Sequence, residues 1–158
     1  MRRVRAEVLN AKRVGAYHSI TIVAPEVAER VRPGQFVSVA MPEGRTFLLR
    51  RHFSIHQASR RGGWAGTLEF VFDPRGPGSS WLAEVKAHQF LDVIGPLGKS
   101  FAYPAKLTTC LLVAEGHGFA VLSPRALHGA AMAQRLHSRT IVQPQLKSAL
   151  AIVTSAQR

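Results

Sequence analysis

The sequence is poor in cysteine and in acidic residues. Only one of its 158 residues is a cysteine, Cys110, which excludes an internal disulfide and a metal centre built from several thiolates. Acidic residues number 9 against 21 lysines and arginines, so the formal net charge is +12 at pH 7. Cysteine this scarce fits a reducing compartment, and we expect a cytoplasmic protein.

Long apolar segments are also lacking. The longest apolar run is far shorter than the roughly 20 residues that cross a bilayer. The basic start at 1–3 leads directly into an alternating pattern, not into the apolar core of a secretion signal. We therefore expect neither a membrane span nor a signal peptide. The apolar fraction of 46% is ordinary for a soluble globular chain.

The positive charge is scattered, and no long basic run, zinc-ligand pattern or helix-turn-helix pattern accompanies it. His52 and His56 show no metal spacing, since on a strand they lie about 13 Å apart. Such charge more often reflects solubility, an acidic partner or a dinucleotide ligand than nucleic acid. The alternative is a basic barrel for single-stranded nucleic acid, with stacking platforms drawn from Phe36, Phe53, Phe70 and Phe72.

Alternation of apolar and polar residues predicts a mainly β fold. Strands are predicted at 4–8, 17–23, 35–40, 49–57, 68–72 and 90–94, most of them ended by glycine or proline. Residues 79–86 break this rhythm and predict a helix with Ser79 or Ser80 as its N-cap. Together these elements predict a six-stranded antiparallel Greek-key barrel with one helix, over residues 1–103.

The pattern changes in the last third of the chain. Residues 116–158 contain no acidic residue, which marks either a domain boundary or a shifted reading near Glu115. The apolar run at 107–113 fits a buried parallel strand. A helix is predicted at 125–137, with further strands at 141–142 and 150–153. Because each βαβ unit takes roughly 30 residues, 104–158 predict an incomplete α/β segment.

Two features of the barrel suit a pyrophosphate. Arg51 offers a rigid fork of donors that fits phosphate oxygens. Gly76 and Gly78 would let the backbone come close, and their amides join those of Ser79 and Ser80 at the helix start in an anion nest. Taken singly, the glycines are better explained as an ordinary turn before a helix, and the arginine as a solvated side chain on an edge strand. The two features together, on neighbouring strands, strengthen the interpretation as a pyrophosphate site.

Residues next to Arg51 suit a flavin ring. After His52, Phe53 could offer an apolar surface to an isoalloxazine ring, and Ser54 could hydrogen-bond its N5 edge. Simple alternation gives the other interpretation, with Phe53 in the core and Ser54 outside. Gly95, at the end of the last barrel strand, permits a sharp exit and close approach of a ligand, although a plain turn explains it equally well.

In this order the motifs resemble those of the ferredoxin-reductase family. Its Arg-x-aromatic-Ser motif matches Arg51, Phe53 and Ser54, and its Pro-Gly-Gln-Phe strand start matches 33–36. Its phosphate turn matches Gly76, Gly78, Ser79 and Leu82, and its Gly-Pro-Leu-Gly exit matches 95–98, with Phe101 behind. The resemblance covers about residues 4–122. Within the family, the chain is most similar to the electron-transfer subunits of bacterial dihydroorotate dehydrogenases.

The resemblance implies FAD in the barrel, a nicotinamide-nucleotide domain after it, and a [2Fe-2S] cluster on a cysteine-rich C-terminal segment. Electrons would pass from dihydroorotate oxidation in a catalytic dihydroorotate dehydrogenase subunit, the implied partner, through cluster and FAD to NAD in pyrimidine biosynthesis. The cofactor-binding residues implied are Arg51, His52, Phe53, Ser54, Gly76, Gly78, Ser79, Ser80 and Gly95.

The chain departs from the family after the barrel. Ala114 and Glu115 stand where glycines are usual, and Val121 replaces a proline. The Glu115 carboxylate would oppose a pyrophosphate, and the cysteines that hold a cluster are absent. We therefore expect a truncated or frameshifted member after about residue 122 that does not reduce NAD efficiently alone. An inactive remnant with a folded barrel is the further alternative.

Overall fold

Six strands in the first hundred residues close into an antiparallel barrel. The computed structural model describes residues 1–41, 49–60, 63 and 65–101 with their side chains, and the backbone alone of 109–115, 136–142 and 148–155. The barrel elements in chain order are β1 Arg2–Val14, β2 Tyr17–Val23, α1 Pro25–Ala28, β3 Phe36–Val39, β4 Arg51–Ser59, β5 Thr67–Phe72, α2 Pro77–Ala83 and β6 Phe90–Leu97.

The strand order around the barrel is β1-β2-β5-β4-β3-β6, and β6 closes on β1. Every neighbouring pair is antiparallel. Because β2 pairs with β5 and not with the next strand in sequence, the chain crosses over in the manner of a Greek key. The predicted barrel is therefore confirmed.

The core lies inside the barrel and follows the alternation of the strands. Along β1, Ala6 and Val8 are fully buried while Arg3, Arg5 and Glu7 lie on the outer face. The inward side chains of all six strands form one apolar cluster, which includes Ala6, Val8, Ile20, Ile22, Val37, Val39, Phe53, Ile55, Leu68, Phe70, Phe72, Leu91 and Val93.

Both helices differ from the sequence-based expectation. The short helix α1 was not predicted; Pro25 ends a strand and also opens a helical turn, because its fixed φ suits the first helical position. Helix α2 begins at Pro77 for the same reason, and its N-cap is Gly76, not Ser79 or Ser80. It ends at Ala83, before the predicted end at residue 86, although Val85 is still buried.

Three further strands form a separate antiparallel sheet. They are β7 Thr109–Glu115, β8 Leu136–Val142 and β9 Ser148–Ser155, in the order β7-β9-β8. The parallel strand predicted at 107–113 is wrong in direction, because β7 pairs antiparallel with β9. The strands predicted at 141–142 and 150–153 lie within β8 and β9. Most of the helix predicted at 125–137 lies outside the described residues, and its last two residues belong to β8.

Within the described residues, no helix is long and apolar enough to cross a membrane.

Candidate functional site

Arg51 opens β4 and reaches toward the start of α2. Arg51 pairs with Val39 in the β3–β4 ladder. It lies on the same face of β4 as Phe53 and Ile55, which are both buried. A Cβ added to Gly78 would lie 3.2 Å from Arg51 Nε and 3.6 Å from Arg51 Cγ. The structure thus brings together the arginine and the glycine turn that the sequence suggested for a pyrophosphate.

The first turn of α2 is closed by a side chain. The Gly76 amide donates to Ser79 Oγ at 3.1 Å, and that hydroxyl donates to the Gly76 carbonyl at 3.0 Å. The Ser80 amide donates to the same carbonyl at 2.8 Å, as the helix requires. Amides of the first helical turn have no partner within a helix, and those of Gly78, which is buried, and Ser79 belong to this group. Of the four amides predicted to form the anion nest, those of Gly76 and Ser80 are therefore hydrogen-bonded within the turn.

Phe53 faces the core, and its suggested contact with a flavin ring stays a prediction. Its side chain is 8% exposed and stacks on Phe70, with centroids 5.2 Å apart and an interplanar angle of 21°. Phe72 lies at the same centroid distance on a tilted plane. The alternation of β4 forces this orientation, as the simpler interpretation of the sequence allowed.

The outer side of β4 carries His52 and Ser54. His52 is exposed and meets the ring of Phe36 edge-on, with centroids 5.4 Å apart. Ser54 is half-buried and lies directly opposite Phe36 in the β3–β4 ladder. Sequence reasoning missed Phe36 as a neighbour of this site. Alternation along the strand places Phe36 on the face opposite to the buried Val37, and this could have indicated it.

Gly95 is buried and packs closely against two valines. A Cβ at this position would lie 2.9 Å from Val37 Cγ1 and 3.1 Å from Val27 Cγ1, both in fully buried valines. The glycine allows β6 to lie against β3 and α1. Gly95 therefore has a packing role, and its contact with a cofactor stays a prediction.

The two remaining motifs that resemble the family's, at 33–36 and 95–101, are hydrogen-bonded to each other. Gln35 Nε2 donates to the Gly98 carbonyl at 3.0 Å, and the Phe101 amide donates to the Pro33 carbonyl at 3.0 Å. Gly34 has a φ of +90° and lies against the Phe101 ring, which a side chain would crowd. The motifs at 33–36 and 95–101 thus form one corner of the barrel.

Arg50 and Arg51 are adjacent but differ in their partners. Arg50 Nη2 donates to the carbonyls of Ser38 at 3.1 Å and Asp92 at 2.7 Å, and to Asp92 Oδ1 at 3.0 Å. Arg51 donates through Nη1 to the Leu49 carbonyl at 3.2 Å. Among the described residues, no carboxylate forms an ion pair with Arg51. Its charge is available to an anion.

Asp92 is held in its charged form from two sides. Arg3 Nη2 lies 2.5 Å from Asp92 Oδ2, and Arg50 contacts the other oxygen. Hydrogen bonds from Arg3 and then from Arg50 lower the pKa of Asp92 to about 2, against the opposing effect of partial burial. Asp92 is therefore ionised at neutral pH.

A groove of about 460 Å³ lies away from these residues. Arg5, Trp81, Glu84 and Phe90 line it, and the Arg5 guanidinium lies 4.7 Å from the centroid of the Phe90 ring. None of the predicted site residues contributes to it. No group of three or more metal-ligating side chains occurs in the part of the chain that the structure describes.

No family model matches the chain. Its sequence is 37% identical over 99 residues to the dihydroorotate dehydrogenase B (NAD(+)) electron transfer subunit of Desulforamulus reducens, an alignment that covers 63% of this chain and 37% of that protein. With the same subunit of Bacillus mycoides the identity is 31% over 121 residues, covering 75% and 46%. The chain spans less than half the length of these curated relatives.

Two solved structures share the fold. An NADH-dependent reduced ferredoxin-NADP oxidoreductase, studied for flavin-based electron bifurcation, superposes with a TM-score of 0.63 at 23% identity, over 81% of this chain and 45% of that one. Full-length CYP116B46 from Tepidiphilus thermophilus gives a TM-score of 0.54 at 18% identity, over 80% and 17%.

The fold and the sequence matches define a class: this chain carries a ferredoxin-reductase-type domain, in partial form. Within that class it is related to the electron-transfer subunit of dihydroorotate dehydrogenase B. The resemblance derived from the sequence motifs is confirmed.

Proposed function

We propose that the barrel, as a domain of residues 1–103, binds FAD and transfers electrons through it. The observation that carries this proposal is the guanidinium of Arg51 beside Gly78. A diphosphate carries negative charge on oxygens that a guanidinium can hold in a fork. Gly78 has no side chain, which lets the Arg51 guanidinium group lie close to the first turn of α2, where the Ser79 amide would add a donor.

The flavin ring would contact the outer side of β4. With Phe53 in the core, the candidates are Ser54, which offers a hydroxyl to N5, and His52 with Phe36 beside it. FAD supplies hydride and single-electron chemistry when it is bound. The protein's own part is to hold the diphosphate, orient the ring and set the electrostatics around it.

The wider role is proposed from the relatives. Their names specify an electron-transfer subunit of an NAD-linked dihydroorotate dehydrogenase, which supports a catalytic dihydroorotate dehydrogenase subunit as partner. On this proposal electrons from dihydroorotate oxidation reach FAD in the barrel and pass toward NAD. An iron–sulfur cluster does not fit this chain, because Cys110 is its single cysteine, and the proposal assigns it no step.

The alternative of a nucleic-acid platform loses its main support. Phe53, Phe70 and Phe72 are buried in the core, so three of the four candidate aromatics have no face to offer a base. Salt-dependent retention of single-stranded nucleic acid would be required to revive it.

The proposal is tested by titrating the purified protein with FAD while following flavin fluorescence and the visible flavin bands. We expect one FAD per chain, with quenched fluorescence. Arg51→Ala should weaken binding by about 2 kcal/mol, or about 30-fold, because a charge-assisted hydrogen bond to a phosphate is lost. Arg13→Ala, which removes an exposed arginine bonded to the Gly15 carbonyl, is the matched control.

Absence of FAD uptake at high concentration would overturn the proposal and favour a folded but inactive remnant. Full affinity in Arg51→Ala would remove this arginine from the site.

A further inference from the structure

Arg50 spans the outer face of the barrel. Its Nη2 reaches over β3, where it contacts the Ser38 carbonyl, to the carbonyl and the carboxylate of Asp92 on β6. Asp92 in turn is bound by Arg3 on β1. The three side chains therefore link four strands that are neighbours around the barrel: β4, β3, β6 and β1.

The same contacts set the direction of the next side chain. Successive residues of an extended chain point to opposite faces, so an Arg50 held on the outer face turns Arg51 toward the barrel end. There Arg51 lies against Gly78 and beside the buried Met41. Arg50 immediately precedes β4, whose ladder with β3 begins at the next residue with the pair Arg51–Val39.

The network is poorly suited to stability alone. Arg50 Nε is buried and has no hydrogen-bond partner among the described residues. An unsatisfied buried donor costs free energy, and partly exposed ion pairs such as Arg50–Asp92 contribute little net stability. Such an arrangement is better explained by the geometry that it imposes.

We propose that Arg50 is a positioning residue, which through Ser38 and Asp92 fixes the start of β4 so that Arg51 faces Gly78 at the start of α2. This inference deepens the proposed FAD function and rests on it. Arg50 itself touches no part of the ligand on this proposal, and its effect on binding passes through Arg51.

A double-mutant cycle on FAD affinity tests the inference. Arg50→Ala should raise the Kd for FAD about tenfold when Arg51 is present, but less than twofold in an Arg51→Ala background, because the arginine being positioned is then gone. Equal fold-changes in the two backgrounds would mean that Arg50 acts on the fold in general and would overturn the inference.

Two further variants guard against unfolding. Arg50→Lys keeps a cation within reach of Asp92 and should retain most of the affinity that Arg50→Ala loses. If Arg50→Ala does not fold, Asp92→Asn takes its place in the cycle, with the same non-additivity expected. Arg13→Ala should leave the Kd within twofold.

The outcomes separate the two proposals. If the unsubstituted protein takes up no FAD, both fail. If it binds FAD and Arg51→Ala weakens binding, while Arg50 and Arg51 substitutions act independently, the FAD site stands and only the positioning role falls.

Discussion

Arg51 and residue 78 share one small space, so the size of residue 78 should control where the guanidinium lies. In Gly78→Ala the new methyl would approach Arg51 Nε and Met41 Sδ, each at 3.2 Å. Both atoms lie within flexible side chains, which can shift by a few tenths of an ångström. We expect a loss of stability below about 1 kcal/mol but a several-fold weaker binding of FAD, measured by urea unfolding and fluorescence titration.

Gly63→Ala is the control for this change, because a Cβ there would meet no atom within 4 Å. Unchanged FAD affinity in Gly78→Ala would show that Arg51 is not confined by this contact.

Gly95 presents the opposite case, in which the neighbours cannot move. Its added Cβ would lie 2.9 Å from Val37 Cγ1 and 3.1 Å from Val27 Cγ1, inside the packed core. Gly95→Ala should therefore destabilise the protein by about 1–3 kcal/mol, the usual cost of overpacking. Equilibrium urea unfolding measures this, and a cost below about 0.5 kcal/mol would contradict the packing role.

The residues of the site show what a sequence motif can and cannot predict. Arg51 and Gly78 are brought together as expected, because a charged residue and a glycine turn suit the same ligand. Phe53 lies on the core side of β4, where it stacks on Phe70. The motif specifies residue types, whereas the face on which each side chain lies follows from the strand.

At the scale of elements, alternation predicted the six barrel strands because one face of each is buried and the other meets solvent. It did not predict α1, whose four residues are too few to show a helical period. Alternation also could not predict the direction of β7. A continuous apolar run such as 107–113 indicates burial but not the orientation of the neighbouring strand.

The pairing of Asp92 with Arg3 and Arg50, which connects β1, β3 and β6 with the start of β4, makes the stability of the protein dependent on pH. Its pKa is lowered to about 2 in the folded protein from an ordinary 3.8, so the charged carboxylate stabilises the fold above pH 3.8. That stabilisation is lost as the pH falls through 3.8 toward 2. Because Arg3 is largely exposed and its attraction is screened, the contribution is on the order of 1 kcal/mol.

Comparison with Asp92→Asn checks this dependence. The stability difference between the two proteins, from urea unfolding, should be present at about pH 6 and should shrink toward about pH 2.5. A difference that stays constant over this range would show that the carboxylate charge does not contribute.

At the scale of the whole molecule, the sequence indicated a change of character after the barrel, and the acid-free tail was its clearest sign. The barrel itself follows from local pattern, since each strand carries its own alternation and turn residues. The arrangement of residues beyond 103 does not follow in this way, because three strands and their partners can pair in several orders with the same apolar content.

We predict that residues 1–103 fold and bind FAD without the rest of the chain. The apolar cluster of the barrel is drawn from residues between Val4 and Val93, and the closed ladder leaves no barrel strand unpaired. The candidate site residues also lie within this range. A fragment ending at residue 103 should therefore show one cooperative urea transition and an FAD Kd within about twofold of that of the full chain. A fragment that does not unfold cooperatively, or that binds FAD at least tenfold more weakly, would mean that residues 104–158 complete the domain.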